Sequence, residues 1–140
     1  MYKIEKRFTL PIGHRLSKHK GRCFLIHGHN FTILVGIKAR KLNENDMLID
    51  FSDLKALVNE YLDGLDHCLL LNNDDWKLAD QLKEAGMRTL KISCDPTAEH
   101  LAERLYINIR HGLSQQFPEI LIDYVTVFEN ENSKATYTEE

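Results

Sequence analysis

The segment Arg22-Cys23-Phe24-Leu25-Ile26-His27-Gly28-His29-Asn30-Phe31 constrains this chain more than any other, because it sets two histidines at i and i+2 at the entrance to a β-branched, apolar run. Side chains of an extended chain repeat every two residues, so His27 and His29 point the same way as Phe31, Ile33, Val35 and Ile37. The pair therefore belongs to the strand face that the rest of the protein must cover. The preceding run keeps the same parity through Ile4, Phe8, Leu10, Ile12 and His14, with Lys6 as the polar exception. An antiparallel neighbour can bring His14 opposite the pair. Histidines so spaced are either a satisfied pair on a half-buried strand or a metal site. Zinc (Zn2+) takes neutral imidazole readily, and catalytic sites usually have three protein ligands and one open position, which makes His14, His27 and His29 the candidate set.

With 140 residues, 43% of them hydrophobic and 28% charged, the chain suits one domain over 1–140 with an ordinary buried core. No apolar run approaches the ~20 residues that span a bilayer, and Met1 to Arg7 lacks the apolar stretch of a signal peptide, so a cytoplasmic protein is expected. The three cysteines Cys23, Cys68 and Cys94 have no C-x-x-C spacing, which argues for free thiols over a disulfide framework. A formal net charge of −3 and the absence of a basic, aromatic-interleaved run exclude nucleic acid as an expected partner. The local exception is the stretch from His14 to Cys23, where Arg15, Lys18, Lys20 and Arg22 occur without one acid.

Tyr2 to Leu10 alternates as a first strand, with Pro11-Ile12-Gly13 expected to bend it out before His14; the basic stretch to Arg22 reads as a loop and Asn30 to Arg40 as a second strand. Asp50 or Ser52 caps a helix whose Phe51, Leu54, Leu57, Val58, Tyr61 and Leu62 fall at helical spacing, and Gly64 follows its end. Leu65-Asp66-His67 comes next. A short polar helix is expected over Trp76–Ala85, then an extended Met87–Ser93. Asp95-Pro96 starts another helix whose stripe of Ala98, Leu101, Ala102, Leu105, Ile109 and Leu113 faces the core. Ile120 to Glu129 and Ala135 to Thr138 are the last strands. The main order, ββααββ, predicts an α+β fold, an antiparallel sheet with two helices on one face.

Several residues carry two readings at this level. Cys23 is a small buried apolar group, a fourth metal ligand, or a base, since a thiolate near a metal can take a proton from carbon beside a carbonyl. Asp66-His67 is a surface pair or an acid-base pair. Glu129 lies on the apolar parity of its strand with Val125 and Val127 and wants a partner, unless it is a rim carboxylate in a salt bridge. Thr97 and Glu99 are helix N-terminal residues or pocket residues. His19, His100 and His111 have no partner at metal spacing.

His14 after Phe8-Thr9-Leu10, C-x-x-x-H-G-H-N-F at 23 to 31, Asp50-Phe51, Leu65-Asp66-His67, Pro96-Thr97-x-Glu99, and Val127-Phe128-Glu129 followed by Tyr137 together resemble, in order, the 6-pyruvoyl-tetrahydropterin synthase and 6-carboxy-tetrahydropterin synthase family. The resemblance covers nearly the whole chain, and the four-residue step from Cys23 to His27 is similar to the bacterial 6-carboxy branch. It implies a tunnelling fold whose subunits join edge to edge into a barrel, a homo-oligomer formed as a trimer paired into a hexamer with active sites between subunits. It implies zinc on His14, His27 and His29, proton transfer by Cys23 with Asp66 and His67, and a pterin anchored by Glu129 and lined by Thr97 and Glu99. The substrate implied is 7,8-dihydroneopterin triphosphate, giving the 6-carboxy product of queuosine synthesis or, in the other branch, the 6-pyruvoyl product. Arg15, Lys18, Lys20 and Arg22 are the expected source of charge for the triphosphate. Phe24-Leu25-Ile26 and, at the ring contact, Asn130 depart from the family's pattern; the residues after Cys23 and the insert between Asn72 and Ser93 keep a non-catalytic, zinc-stabilised pterin-binding module as the alternative.

Overall fold

The computed structural model describes residues 1–140. Strands β1 (Tyr2–His14) and β2 (His27–Ala39) form a long antiparallel pair in which Tyr2 faces Ala39, Leu10 faces Phe31 and His14 faces His27. Beside β2 lies β5 (Leu121–Asn130), and beside that β6 (Ser133–Tyr137), both antiparallel. This is the antiparallel frame expected from the alternating patterns. The segment between the two main helices adds to it. After α1 (Phe51–Leu62), β3 (Cys68–Asn72) joins the far edge of β1, and α2 (Trp76–Glu84) then leads to β4 (Thr89–Ile92) on the outside. Both additions are parallel, Ile12 facing Cys68 and Leu70 facing Leu90, so the six-stranded order β4-β3-β1-β2-β5-β6 is a mixed sheet and not a purely antiparallel one. Its connections run through helices because parallel neighbours need a crossover.

Two further expectations change. Strand β1 does not bend out at Pro11 but continues to His14, with Pro11 facing Asn30. The carbonyl of Pro11 accepts from the His67 N–H at 2.9 Å on the β3 side, where strand pairing begins only at Ile12. The missing proline N–H faces that unladdered stretch, so it costs no sheet hydrogen bond. The last long helix, α3 (Ala98–Gln116), is capped by Thr97 and not by Asp95: the Thr97 hydroxyl accepts from the His100 N–H at 3.3 Å.

The core lies between one face of the sheet and the helices α1 and α3. Phe31, Ile33, Val35 and Ile37 of β2 are buried on the same parity as the two histidines, and Leu101, Leu105, Ile109 and Leu113 of α3 pack against them with Leu54, Leu57 and Val58 of α1. Asp50 caps α1 by accepting from the Ser52 N–H at 2.7 Å. The opposite face of the sheet is polar. There Asp123 is held by Lys3 and Lys38 at 2.7 Å each, and the Tyr124 ring lies across Gly36, where any side chain would collide with it, to donate its hydroxyl to Glu5. No helix is long and apolar enough to cross a membrane.

Candidate metal centre and the groups around it

The β1–β2 register decides the site, because it places His14 directly opposite His27 and Ile12 opposite His29, so that all three imidazoles crowd the same end of the covered face. Their ring centroids are 4.5 Å (His14 to His27) and 5.2 Å (His29 to each of the others) apart. One ligand atom from each lies within 4.8 Å of the other two. His14 is fully buried, and Phe31 packs edge-on against both His14 and His29.

Protons on the rings are fixed by what surrounds them. Nδ1 of His14 is 2.8 Å from the Pro96 carbonyl, and Nδ1 of His27 is 2.7 Å from the Leu25 carbonyl. A carbonyl oxygen only accepts, so each Nδ1 carries the hydrogen, and each neutral ring presents an Nε2 lone pair. Those two Nε2 atoms are 3.0 Å apart. Two lone pairs at that distance repel unless a positive centre lies between them. Nitrogens held tetrahedrally at about 2.0–2.1 Å from zinc are about 3.3 Å apart, close to the separation found. Burial holds the basicity of His14 below the ordinary range, and the neighbouring His27 and His29 add to this, against opposing contributions from the Pro96 carbonyl and Glu129. A neutral imidazole is the form that ligates. The donor set fits a divalent cation of zinc's preferences and is finished by carbonyl acceptors behind the rings, as histidine ligands generally are.

Cys23 lies outside this group of three. It sits in a short 3-10 turn, Arg22–Phe24, half-buried, and its carbonyl accepts from the Leu16 N–H at 2.9 Å. Lys18, Lys20 and Arg22 are exposed and take part in no ion pair, whereas Arg15 is engaged: its Nη1 is 3.1 Å from Asp75, its Nε donates to the Phe24 carbonyl at 3.0 Å, and its guanidinium lies 4.0 Å from the Phe24 ring centroid. Glu129 is carried by a bulge. Phe128 faces Lys134 and Asn130 faces Ser133, which leaves Glu129 without a cross-strand partner and turned toward a cavity of about 530 Å³ shared with His29, Asn30, Thr32 and Arg7. That volume falls in the range of small-molecule sites. Thr97 is taken up as the α3 cap, and Glu99 is exposed on its first turn.

Asp66 and His67 form a contact of 2.8 Å on the surface, His67 with its backbone in the left-handed region at φ 54°. Such a backbone costs a residue with a β-carbon about 1–2 kcal/mol. Arg88 holds the turn, donating to the carbonyls of Asp63 and Asp66 at 2.6 and 3.0 Å. The pair is not part of the imidazole cluster; His67 lines a second cleft with Pro11, Gly28, Asn30 and Met87, and His27 and His29 border that cleft too. Arg88, Asp75 and Asp95 are neighbours that sequence reasoning passed over. Only an acid beside a turn proline marked Asp95, and that pattern reads first as a helix cap.

The sequence profile of the 6-pyruvoyl tetrahydropterin synthase family matches residues 3–140. A 6-carboxy-5,6,7,8-tetrahydropterin synthase of Rickettsia typhi is 32% identical over 125 residues, 88% of this chain and 86% of that protein. One of Haemophilus influenzae is 29% identical over 146 residues, 99% of this chain and 100% of its own length. Among solved structures, an uncharacterised protein of Wolinella succinogenes superposes with a TM-score of 0.82 at 21% identity, covering 99% of this chain and 98% of that one. The 6-pyruvoyl tetrahydropterin synthase of Caenorhabditis elegans gives 0.74 at 20% identity, over 99% and 96%. At these identities the superpositions speak for the fold alone.

Proposed function

The chain belongs to the 6-pyruvoyl tetrahydropterin synthase family, and from that premise we propose that it is a zinc-dependent lyase of the 6-carboxy-5,6,7,8-tetrahydropterin type, a single pterin synthase-like domain acting on 7,8-dihydroneopterin triphosphate. The observation that carries the reading is the pair of imidazole lone pairs at 3.0 Å, completed by His29. Bound zinc would supply Lewis acidity toward oxygens of the substrate side chain. The chain's own residues do the rest. Glu129, unpaired on its bulge, accepts two parallel hydrogen bonds from the 2-amino group and N3–H of the pterin ring, and Thr97 and Glu99 border that ring. Lys18, Lys20 and Arg22 carry charge for the triphosphate, with Arg15 shaping their loop. Cys23 as thiolate takes the proton from the side-chain carbon, and the His67 imidazole, oriented by Asp66, returns a proton as triphosphate leaves.

The choice of the 6-carboxy branch, in which the side chain is cleaved with release of acetaldehyde, is supported by the names of the relatives in Rickettsia and Haemophilus and by the short Cys23–His27 step. Incubation of the metal-loaded protein with 7,8-dihydroneopterin triphosphate, with products separated by mass, tests it. Triphosphate and a 6-carboxy pterin are expected. A 6-pyruvoyl product would move the chain to the other branch, and substrate retained intact would make it a binding module.

A further inference from the structure

The loop from Arg15 to Phe24 carries four cations and the thiol, yet it touches the rest of the protein through few hydrogen bonds. Among residues 19 to 25 the bonds are internal, His19 N–H to Leu16, Phe24 N–H to Gly21 and Leu25 N–H to Arg22, except at the loop's end, where the Leu25 carbonyl accepts from His27 Nδ1 at 2.7 Å. Its other outside anchors, before that end, are the Arg15–Asp75 ion pair, a long 3.4 Å bond from the Arg15 N–H to Leu70, and one carboxylate. That carboxylate is Asp95, only 7% exposed, which accepts from the Ser17 hydroxyl at 2.6 Å, the Lys18 backbone N–H at 2.8 Å and the Asn72 side-chain amide at 2.9 Å. Burial pushes its basicity up, but these three donors outweigh burial and hold it below the ordinary carboxylate range, so it is ionised at neutral pH. The residue after it, Pro96, is the one whose carbonyl holds His14 Nδ1.

We propose that Asp95 is a positioning residue: by gripping the loop through a hydroxyl and a backbone N–H, it fixes the Cys23 thiol relative to the three histidines while leaving the loop's ammonium groups free for an anion. The choice of donors matters. An ion pair between Asp95 and the Lys18 ammonium would anchor the loop equally well but would neutralise a charge that the triphosphate needs, whereas neutral donors spend none. Asn72, at the end of β3, is itself fixed by accepting from the Asp74 N–H at 3.1 Å and ties the carboxylate to the sheet. One turn, Asp95-Pro96-Thr97, thus holds the loop with a side chain, a histidine with a carbonyl, and α3 with a cap. The inference rests on the reading of Cys23 as proton carrier.

The test compares wild type, Asp95→Ala, Asp95→Asn and Ser17→Ala in the zinc-loaded, full-length protein. Trypsin cleavage after Lys18 and Lys20 reports the loop, iodoacetamide labelling of Cys23 mapped by mass reports the thiol, and kcat and KM report the reaction. In Asp95→Ala, cleavage and labelling are expected to rise about tenfold or more, inorganic triphosphate to lose its protection of Cys23, and kcat to fall about tenfold or more with one zinc per chain retained. Asp95→Asn should recover part of each, since its amide oxygen still accepts from Lys18 while its NH2 opposes Asn72. If Asp95→Ala fails to fold, Ser17→Ala, which leaves α3 untouched, decides with a smaller change in the same direction. Wild-type rates of cleavage and labelling in the variant would overturn the proposal, as would a freed loop with unchanged kcat. A wild type without turnover would sink the enzymatic reading alone, and the loop's role would then be decided by cleavage and labelling.

Discussion

A thiol that stands outside the imidazole cluster can be removed without dismantling it. If Cys23 were a fourth ligand, the site would be a closed tetrahedron with no position for substrate oxygen. Cys23→Ala is therefore expected to keep its full zinc content, read by metal analysis, and to lose turnover by about a hundredfold or more, the usual scale for a positioned acid-base group. Loss of zinc from this variant would make Cys23 a ligand. On the other face of the sheet, burial raises the Tyr124 hydroxyl and its bond to Glu5 raises it further, to about 12 from an ordinary 10.0. A group whose folded value is raised contributes stability that is complete below 10 and lost as pH climbs through about 12. Thermal unfolding should show Tm falling over that window, and Tyr124→Phe, which keeps the ring over Gly36, should fall less steeply. Equal slopes would show that the hydroxyl contributes nothing there.

Elements whose pattern is complete in themselves were legible in the sequence. The α3 stripe from Ala98 to Leu113 and the β2 parity from His27 to Ile37 need no knowledge of neighbours, and both are buried as read or, for His27 and His29, half-buried. The same parity made the histidine triad legible, because an antiparallel register across β1 and β2 leaves His14 no other place. What was illegible depends on partners distant in the chain. Leu69-Leu70-Leu71 is too short to be told from a buried turn until β1 offers its edge, and Pro11 reads as a bend until His67 supplies the donor for its carbonyl. Asp95 reads as a cap because its real donors lie 77 and 78 residues upstream. The basic loop was visible as composition, and its unpaired Lys18 and Lys20 now give that composition a use. Neutralising both to alanine should raise KM about tenfold or more and flatten its dependence on ionic strength, with kcat little changed. An unchanged salt dependence would assign the triphosphate to other residues.

At the scale of the whole molecule, one chain leaves its chemistry divided. The Asp66–His67 pair makes no hydrogen bond to the three histidines or to Cys23, and its imidazole, 78% exposed, lines a cleft that His27 and His29 also border, beside Met87 and Ile26, which are themselves 55% and 52% exposed. Exposed apolar side chains around a site suit a surface that another copy covers, and the outer edges of β4 and β6 have no partner within the chain. On the proposed reading, a ring of identical subunits would set the pair of one copy against the thiol of the next, an arrangement that repeats head to tail and closes. This can be separated from a site complete within each chain by complementation. Cys23→Ala and His67→Ala should each be inactive alone. Co-expressed in equal amounts, they place an intact Cys23 against an intact His67 at about one interface in four, because each side of an interface has an even chance of being intact. The mixed protein should therefore recover about a quarter of the wild-type rate. If each site lay within one chain, every site in the mixture would still carry one of the two substitutions, and no activity would return.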